Sequence, residues 1–349
     1  MPLDPKFAQL LERPRAELLG IVPSFLSAYV HPDGGADERV RREVTAVLEA
    51  ADDEAWARLV SYLHELGSRF GAWDADPVGR ELGRVTLGSV VHPDSTLDGV
   101  EHLDAAIATG RPVLLAGNHL SYVDASAFQE LLRRVGRDAA ADALTAVAGP
   151  KVYSEPLRLL GASAMNTILV AQSSTVATEQ APMAPREIAR AARTALNDAK
   201  RLMDGGRLVL IYPEGTRSRT GAMGPFLRAT ARWVTLPELL VVPIALRGTD
   251  GCYTLEDVRL RPAVVRARYT APVEGFRLIH MDRSQSQAMP LHTPSGPEVT
   301  LDGAPVTVTS QADEGGWTGF VLDLSAGGEL FVGDGQGNGT TVTVPVVLQ

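Results

Sequence analysis

Residues 113–124 read Val-Leu-Leu-Ala-Gly-Asn-His-Leu-Ser-Tyr-Val-Asp, an apolar run that gives way to polar and acidic residues. The apolar part, 113–116, has the length of a buried β-strand, and Gly117 ends it. Asp124 opens the next helical pattern, 124–135, where an acid stabilises the first turn. A buried strand that leads through a loop into a helix is the repeating unit of an α/β fold.

The same alternation continues on both sides of this stretch. Further apolar runs of strand length lie at 145–148, 167–171, 208–212, 241–246 and 264–269, and helical patterns lie at 185–204 and 226–235. Runs that are apolar throughout indicate strands covered on both faces, as in parallel sheets. Residues 91–270 are therefore predicted to form an α/β domain with a mainly parallel sheet flanked by helices.

The two ends of the chain have other patterns. In residues 1–90, apolar residues recur at helical spacing over 36–50 and 56–70, which predicts a helical N-terminal region, as a small bundle or docked on the next domain. Residues 271–349 contain short β-prone runs at 306–309, 319–324, 329–332 and 340–348, separated by glycines. They predict a small β-rich C-terminal appendix.

The composition bounds the possible functions. The chain has 349 residues and a net charge of −9, which argues against a general nucleic-acid-binding protein. Its one cysteine, Cys252, excludes an internal disulfide framework and a cysteine-rich zinc site, and no metal site is predicted. No signal peptide and no run of about 18 apolar residues is found, so we expect a cytoplasmic protein without a spanning helix.

One segment reverses the overall sign of the charge. Residues 200–232 hold 7 basic residues against 2 acidic ones. A local excess of positive charge in an acidic protein favours an anionic ligand at that place.

The loop 118–124 carries the first candidate site. His119 follows directly on a predicted strand, at the sheet edge where α/β proteins bind ligands, and a histidine titrates near neutrality as a general base must. Asp124, five residues later, can orient the imidazole and stabilise its charged form. The alternative is structural, with Ser121 and Asp124 serving only as the cap and first-turn acid of the helix.

The second candidate site is on the loop 212–219, which reads Tyr-Pro-Glu-Gly-Thr-Arg-Ser-Arg. It also follows a predicted strand and should lie at the same edge of the sheet. Arg217 and Arg219 can converge on one phosphate, because guanidinium groups bind it in a bidentate way, and backbone N–H groups near Gly215 can add donors. The alternative is a solvated turn in which Glu214 pairs with an arginine.

Taken together, the two loops resemble those of the glycerolipid acyltransferase family. Its first motif is a histidine and an aspartate separated by four residues, and its third is Glu-Gly-Thr-Arg; both are present here in order. Residues 148–157 and 166–171 resemble the second block of the family, and residues 241–246 resemble the fourth. The resemblance covers roughly residues 95–250.

This resemblance implies a reaction and its partners. His119, oriented by Asp124, would remove the proton from a hydroxyl of glycerol 3-phosphate or 1-acylglycerol 3-phosphate, and the oxygen would attack the thioester of acyl-CoA or acyl carrier protein. The thioester is a co-substrate, and no further cofactor is implied. The substrate-binding residues that the resemblance implies are Asn118, Ser121, Lys151, Glu214, Gly215, Thr216, Arg217 and Arg219.

The chain also departs from the family pattern. The second block usually continues after its strand into a basic residue, but here Gln172 follows Ala171, so that phosphate contact is missing or comes from elsewhere, for example from Lys151. The helical N-terminal region is similar to that of the plastid-type glycerol-3-phosphate acyltransferases.

Two other functions and the question of membrane contact stay open at this point. One alternative is a non-catalytic sensor that binds lipid or a cyclic dinucleotide, because 320–328 resembles half of a PilZ motif. The other is a thioesterase-like hydrolase. The apolar stretch 17–30 fits a bundle core better than an interfacial helix, since it has no lysine or arginine. Contact with the inner face of the cell membrane is left open.

Overall fold

The computed structural model describes residues 5–30, 37–153, 155–171, 184–224, 226–234, 236, 238–254 and 259–274, and six short strands between 298 and 344. The contacts of the chain divide it into two compact units, residues 1–277 and residues 278–349. Gln172 and the glycine-rich or PilZ-like stretches 323–327 and 334–338 lie outside the described residues.

A nine-stranded sheet organises the first unit. Its strands are β1 (Gly71–Trp73), β2 (Thr96–Asp98), β3 (Val113–Gly117), β4 (Leu144–Ala148), β5 (Asn166–Leu169), β6 (Leu208–Ile211), β7 (Leu240–Arg247), β8 (Arg266–Tyr269) and β9 (Val273–Glu274). They follow the order β1-β5-β4-β6-β3-β7-β8-β2, and β9 pairs with β7. The five central strands, which are β5, β4, β6, β3 and β7, are parallel to one another. By contrast, β1 runs antiparallel to its neighbour β5, and β8 runs antiparallel to its neighbour β7. The predicted α/β class with a mainly parallel sheet is confirmed.

Helices cover the sheet. They are α1 (Pro5–Leu11), α2 (Arg15–Tyr29), α3 (Glu38–Ala50), α4 (Asp53–Glu65), α5 (Pro77–Thr86), α6 (Val100–Ala108), α7 (Asp124–Arg134), α8 (Asp138–Ala143), α9 (Pro156–Ser163), α10 (Pro185–Asp204), α11 (Ala231–Val234) and α12 (Thr249–Cys252). The predicted helix 226–235 is wrong over most of its length, because only a 3-10 turn, Arg228–Thr230, and the single turn of α11 form there. No helix within the described ranges is both long enough and apolar enough to cross a bilayer.

The central strands bury side chains on both faces, which explains their uninterrupted apolar sequence. On β3, Leu114 packs in one apolar cluster with Ala195 and Ala199 of α10, whereas its neighbour Leu115 packs in a second cluster with Phe128 of α7. Successive side chains of a strand point to opposite faces, so each face has its own layer of helices.

The N-terminal helices share the second cluster with the sheet. Leu48 of α3 and Leu63 of α4 belong to the same cluster as Leu115. In α2, Leu18 and Leu26 are buried, and Phe25 is 52% exposed. The first 90 residues are not helical throughout, because β1 (Gly71–Trp73) adds an antiparallel edge strand beside β5.

The second unit is built of antiparallel strands. They are β10 (Glu298–Leu301), β11 (Ala304–Pro305), β12 (Val308–Asp313), β13 (Thr318–Leu322), β14 (Gly328–Gly333) and β15 (Gly339–Val344). One sheet has the order β11-β10-β14-β15, and β12 pairs with β13. The predicted β-rich character of the C-terminal part is confirmed.

Candidate active site

The two candidate loops lie side by side because their strands are neighbours. β3 and β6 are paired in parallel register, Ala116 beside Ile211, and each strand ends where its loop begins. The backbone N–H of Ser218 donates to the carbonyl oxygen of His119 at 2.7 Å. The loops 118–123 and 212–219 are therefore one connected surface at the carboxyl edge of the sheet.

His119 and Asp124 form a hydrogen-bonded pair. The Nδ1 atom of His119 lies 2.8 Å from Oδ2 of Asp124, whose side chain is fully buried. The same oxygen accepts from the backbone N–H groups of Leu120, at 2.8 Å, and Ser121, at 3.1 Å. Three donors thus fix the carboxylate, and the carboxylate fixes Nδ1 as the protonated ring nitrogen, so that Nε2 is left with its lone pair.

Tyr212 packs against the face of that imidazole. The two ring centres are 4.1 Å apart and the planes differ by 14°. Burial raises the pKa of the Tyr212 hydroxyl well above its usual value, and the charge of Asp124 adds to the effect. Among the described residues, the hydroxyl has no hydrogen-bond partner. Tyr212 is therefore a stacking partner that the sequence patterns did not single out, although an aromatic residue at a strand end beside a candidate loop is a usable signal.

The side chain of Glu214 accepts hydrogen bonds from two separate backbone positions. It is 4% exposed; its Oε1 accepts from the N–H of His119 at 2.8 Å, and its Oε2 accepts from the N–H of Gly224 at 2.7 Å. Both carboxylate oxygens are thus occupied by the protein itself. The structure places this predicted substrate-binding residue beneath the loops, where it holds His119.

Asn118 and Ser121 are also engaged with backbone. The side-chain amide of Asn118 donates to the carbonyl of Leu246 at 2.9 Å, and its oxygen accepts from the N–H of Leu246 at 2.8 Å. Ser121 is fully buried, and its hydroxyl donates to the carbonyl oxygen of Tyr253 at 3.2 Å. Ser121 also borders the cavity described below. The side chain of Asn118 anchors the His119 loop to β7.

The remaining predicted residues face a common space. Gly215 has a positive φ of 66°, which favours glycine, and a Cβ there would also displace the end of the Leu227 side chain. Thr216, Arg219 and Lys151 are exposed, and with Arg217 all of them border the same cavity as His119.

Arg217 does not project freely into solvent. Its guanidinium carbon lies 4.4 Å from the ring centre of Tyr122 and 5.8 Å from that of Tyr253. Such cation–π contacts hold a guanidinium in place while they leave its N–H groups able to bind an anion. Tyr122, within the His119 loop, thereby connects the two candidate motifs a third time.

The cavity itself has two kinds of lining residue. It encloses about 730 Å³. Its lining includes His119 and the cationic side chains named above, and it also includes the apolar residues Met165, Val170, Ile188, Ala195, Leu196 and Trp233. This space accepts a ligand that has both an anionic and a long apolar portion.

Comparison with known proteins shows which of them have similar sequences. Residues 97–247 match a family model described as Acyltransferase. The chain is 35% identical over 66 residues to a 1-acyl-sn-glycerol-3-phosphate acyltransferase of Cocos nucifera, which covers 19% of this chain and 21% of that protein. It is 33% identical over 84 residues to the protein of that name from Limnanthes douglasii, which covers 24% of this chain and 30% of that protein.

The alignments therefore span about a fifth to a third of the length of these relatives. A solved structure, the 1-acyl-sn-glycerophosphate (LPA) acyltransferase PlsC of Thermotoga maritima, aligns with 81% of this chain and 89% of its own at 15% identity and a TM-score of 0.37. The matched segment holds His119, Asp124 and the loop 212–219. Residues 97–247 are thus similar to the acyltransferase family.

Proposed function

We propose that this protein is a glycerolipid O-acyltransferase, which moves a fatty acyl group from a thioester to a hydroxyl of a glycerol phosphate. The observation that carries the proposal is the His119–Asp124 pair, 2.8 Å apart, at a cavity whose lining includes both cationic and apolar side chains. The names of the aligned relatives support an acyl acceptor of the 1-acylglycerol 3-phosphate type.

In the proposed reaction His119 is the general base. Its Nε2 takes the proton of the acceptor hydroxyl, and the oxygen forms a bond to the thioester carbonyl carbon. The carbon–sulfur bond then breaks, and the imidazolium returns the proton to the leaving thiolate, so that an ester and a free thiol result. Asp124 keeps the imidazole in the required tautomer and stabilises its positive charge during the transfer.

The acceptor phosphate is proposed to lie against the arginines. Arg217 is held by Tyr122 and Tyr253, with Arg219 two residues further along the same loop. Lys151 and Thr216 border the same cavity. The anion would be bound close to His119, which places the acceptor hydroxyl near Nε2.

The acyl donor is proposed to extend along the apolar residues of the cavity. Burial of an acyl chain there is favourable by about 0.8 kcal/mol for each methylene group. The donor is a thioester of CoA or of acyl carrier protein, and the reaction as drawn needs no further cofactor.

A peripheral position at the membrane surface is proposed for the delivery of a lysolipid acceptor. Met223 and Phe226 follow the Arg219 loop, and each is 61% exposed. Exposed apolar side chains next to a basic loop suit the headgroup region of an anionic bilayer. We propose a cytoplasmic protein that meets the inner face of the membrane with this loop.

The test is a thiol-release assay with acyl-CoA or acyl carrier protein as donor and a panel of acceptors, combined with mass spectrometry of the acylated product. The wild-type protein should release thiol only when an acceptor is present. His119→Ala should lower the rate by about 10²- to 10⁴-fold without a change in melting temperature.

Three other outcomes of these experiments would contradict the proposal. Full activity of His119→Ala would contradict the mechanism. Thiol release without any acceptor would indicate a hydrolase. Absence of turnover with every donor and acceptor, together with tight binding of a cyclic dinucleotide, would favour the sensor.

A further inference from the structure

A second arginine shares the tyrosine ring that holds Arg217. The guanidinium carbon of Arg158, at the start of α9, lies 4.4 Å from the ring centre of Tyr122, the same distance as that of Arg217. The two arginines are far apart in sequence. Because each guanidinium carbon lies 4.4 Å from the same ring centre, the two carbons are at most twice that distance from each other. Both residues line the cavity that holds His119.

Both guanidinium groups have unused donors. Nε of Arg158 and Nη1 of Arg217 are buried and have no hydrogen-bond partner among the described residues. Buried N–H groups are almost always paired in proteins, so an unpaired one calls for an acceptor. Two neighbouring cations also repel each other unless an anion lies near both.

The carboxylate beside Arg158 neutralises it only in part. Arg158 pairs with Glu155 at 2.8 Å, but the side chain of Glu155 is 50% exposed, whereas that of Arg158 is 16% exposed. An exposed ion pair contributes little to stability and is easily exchanged. Arg158 also donates to the carbonyl oxygen of Lys151 at 3.3 Å, which holds α9 against the neighbouring loop.

The sequence lacks a basic residue at the end of the second block, where Gln172 follows Ala171. Arg158 lies between the two stretches that resemble this block, 148–157 and 166–171. It is on α9, the helix that leads into β5. Arg158 is thus a cation from this part of the chain that lines the cavity. Lys151, the substitute that the sequence suggested, is exposed, whereas the side chain of Arg158 is 16% exposed.

We propose that Arg158 is a phosphate-binding residue, which together with Arg217 binds the phosphate group of the acyl acceptor beside the Tyr122 ring. This assignment rests on the proposed acyl transfer, and it names the residue that completes the acceptor site in this chain. The phosphates of CoA have the same chemistry, so the experiment must separate the two sources.

The experiment compares Arg158→Ala with a matched control, Arg133→Ala. Arg133 is 17% exposed and pairs with Asp142 at 2.7 Å, much as Arg158 pairs with Glu155, but it lies outside the cavity. Arg158→Ala should raise the KM for 1-acylglycerol 3-phosphate by about 10- to 100-fold, leave kcat within a few-fold, and leave the KM for acyl-CoA unchanged. With a 1-monoacylglycerol acceptor, which has no phosphate, the variant and the wild type should not differ.

Glu155→Gln distinguishes binding from a structural ion pair. If Arg158 binds phosphate, loss of Glu155 leaves the acceptor KM unchanged or lowers it, because the cation is then less neutralised. If the ion pair with Glu155 is what matters, Glu155→Gln raises the KM as much as Arg158→Ala does, and the proposal is overturned. A rise in the KM for acyl-CoA in place of the acceptor KM would also overturn it.

Calorimetry without any acyl donor provides a readout that does not depend on catalysis. Glycerol 3-phosphate and inorganic phosphate should bind to the wild-type protein and to Arg133→Ala, and at least tenfold more weakly to Arg158→Ala. If the wild-type protein shows no acyl transfer, the proposed function is rejected. If Arg158→Ala nevertheless binds phosphate more weakly than the wild type, the phosphate site is retained. Equal affinity in the two variants would reject the site.

Discussion

The imidazole of His119 lies parallel to the ring of Tyr212, with ring centres 4.1 Å apart. Asp124 holds one edge of the imidazole at Nδ1, and Tyr212 covers one of its faces. Rotation of the ring is therefore restricted by a hydrogen bond in its plane and by a contact on its face. This arrangement leads to the first two predictions.

Asp124→Asn should lower kcat strongly without unfolding the protein. The asparagine keeps the size of the side chain, but it no longer compensates the positive charge of the imidazolium and favours the wrong tautomer of His119. The expected loss is about 10²- to 10⁴-fold. It is measured as kcat at saturating acceptor, with circular dichroism as the control; a variant within tenfold of the wild type would remove Asp124 from the mechanism.

Tyr212→Phe and Tyr212→Leu should differ. Phenylalanine keeps the stacked ring and removes a buried hydroxyl that has no partner among the described residues, so activity and melting temperature should be kept or improved. Leucine removes the flat surface, and kcat should fall several-fold while the acceptor KM changes little. Equal kcat in the two variants would show that the stacking does not position His119.

Glu214→Gln should damage both stability and turnover. An amide has one acceptor oxygen, so one of the two N–H groups, of His119 or of Gly224, loses its buried partner, at a cost of about 1–3 kcal/mol. The expected signs are a lower melting temperature and a lower kcat, both without a proportional rise in acceptor KM. A pure KM effect would instead indicate that Glu214 contacts the acceptor directly.

The double variant Met223→Ser, Phe226→Ser should bind less well to vesicles that contain phosphatidylglycerol. Activity on 1-acylglycerol 3-phosphate presented in such vesicles should fall, whereas activity on dissolved glycerol 3-phosphate should not. Ile107→Ser is the control, since Ile107 is 42% exposed but lies at the end of α6, ahead of the amino end of β3. Equal loss of vesicle binding in the control would contradict the proposed docking loop.

Cys252 should resist alkylation until the protein unfolds. Burial raises the pKa of its thiol to about 12. An exposed thiol ionises near pH 8.5, so between about pH 8.5 and 12 the unfolded chain loses a proton that the folded chain keeps. Stability should therefore fall as the pH rises through this range, and iodoacetamide at pH 8 should modify the thiol only in denaturant. Rapid modification of the native protein would show that Cys252 is accessible.

The sequence predicted the parts of the fold that depend on local patterns. The central strands β3 to β7 were expected within about two residues of where they lie, because burial on both faces leaves a continuous apolar run. By contrast, β1 and β2 have three residues each, too few for any periodicity. The helix expected over 226–235 is replaced by two short turns, and the N–H of Leu227 and the hydroxyl of Thr230 both donate to the carbonyl of Pro213, at 2.9 and 3.3 Å, contacts that no local pattern contains.

The same distinction applies to the site. His119, Asp124, Arg217 and Arg219 were recognisable because each follows a strand within a short motif. The partners of Asn118 and Glu214 lie up to 128 residues away in sequence, so the sequence showed these residues without their contacts. Arg158 gave no signal at all, since only the packing of α9 brings it to Tyr122.

The carboxylate of Glu214 gives the molecule an engineering constraint. Since it grips the backbone of His119 on one side and of Gly224 on the other, the catalytic loop and the arginine loop cannot be redesigned separately. Residues 212–224 could be replaced by those of a homologue with another acceptor preference. Such a graft would displace His119 unless the grafted sequence has a carboxylate at the position of Glu214. Changes of acceptor preference are better sought on α9, which adjoins the cavity without touching that link.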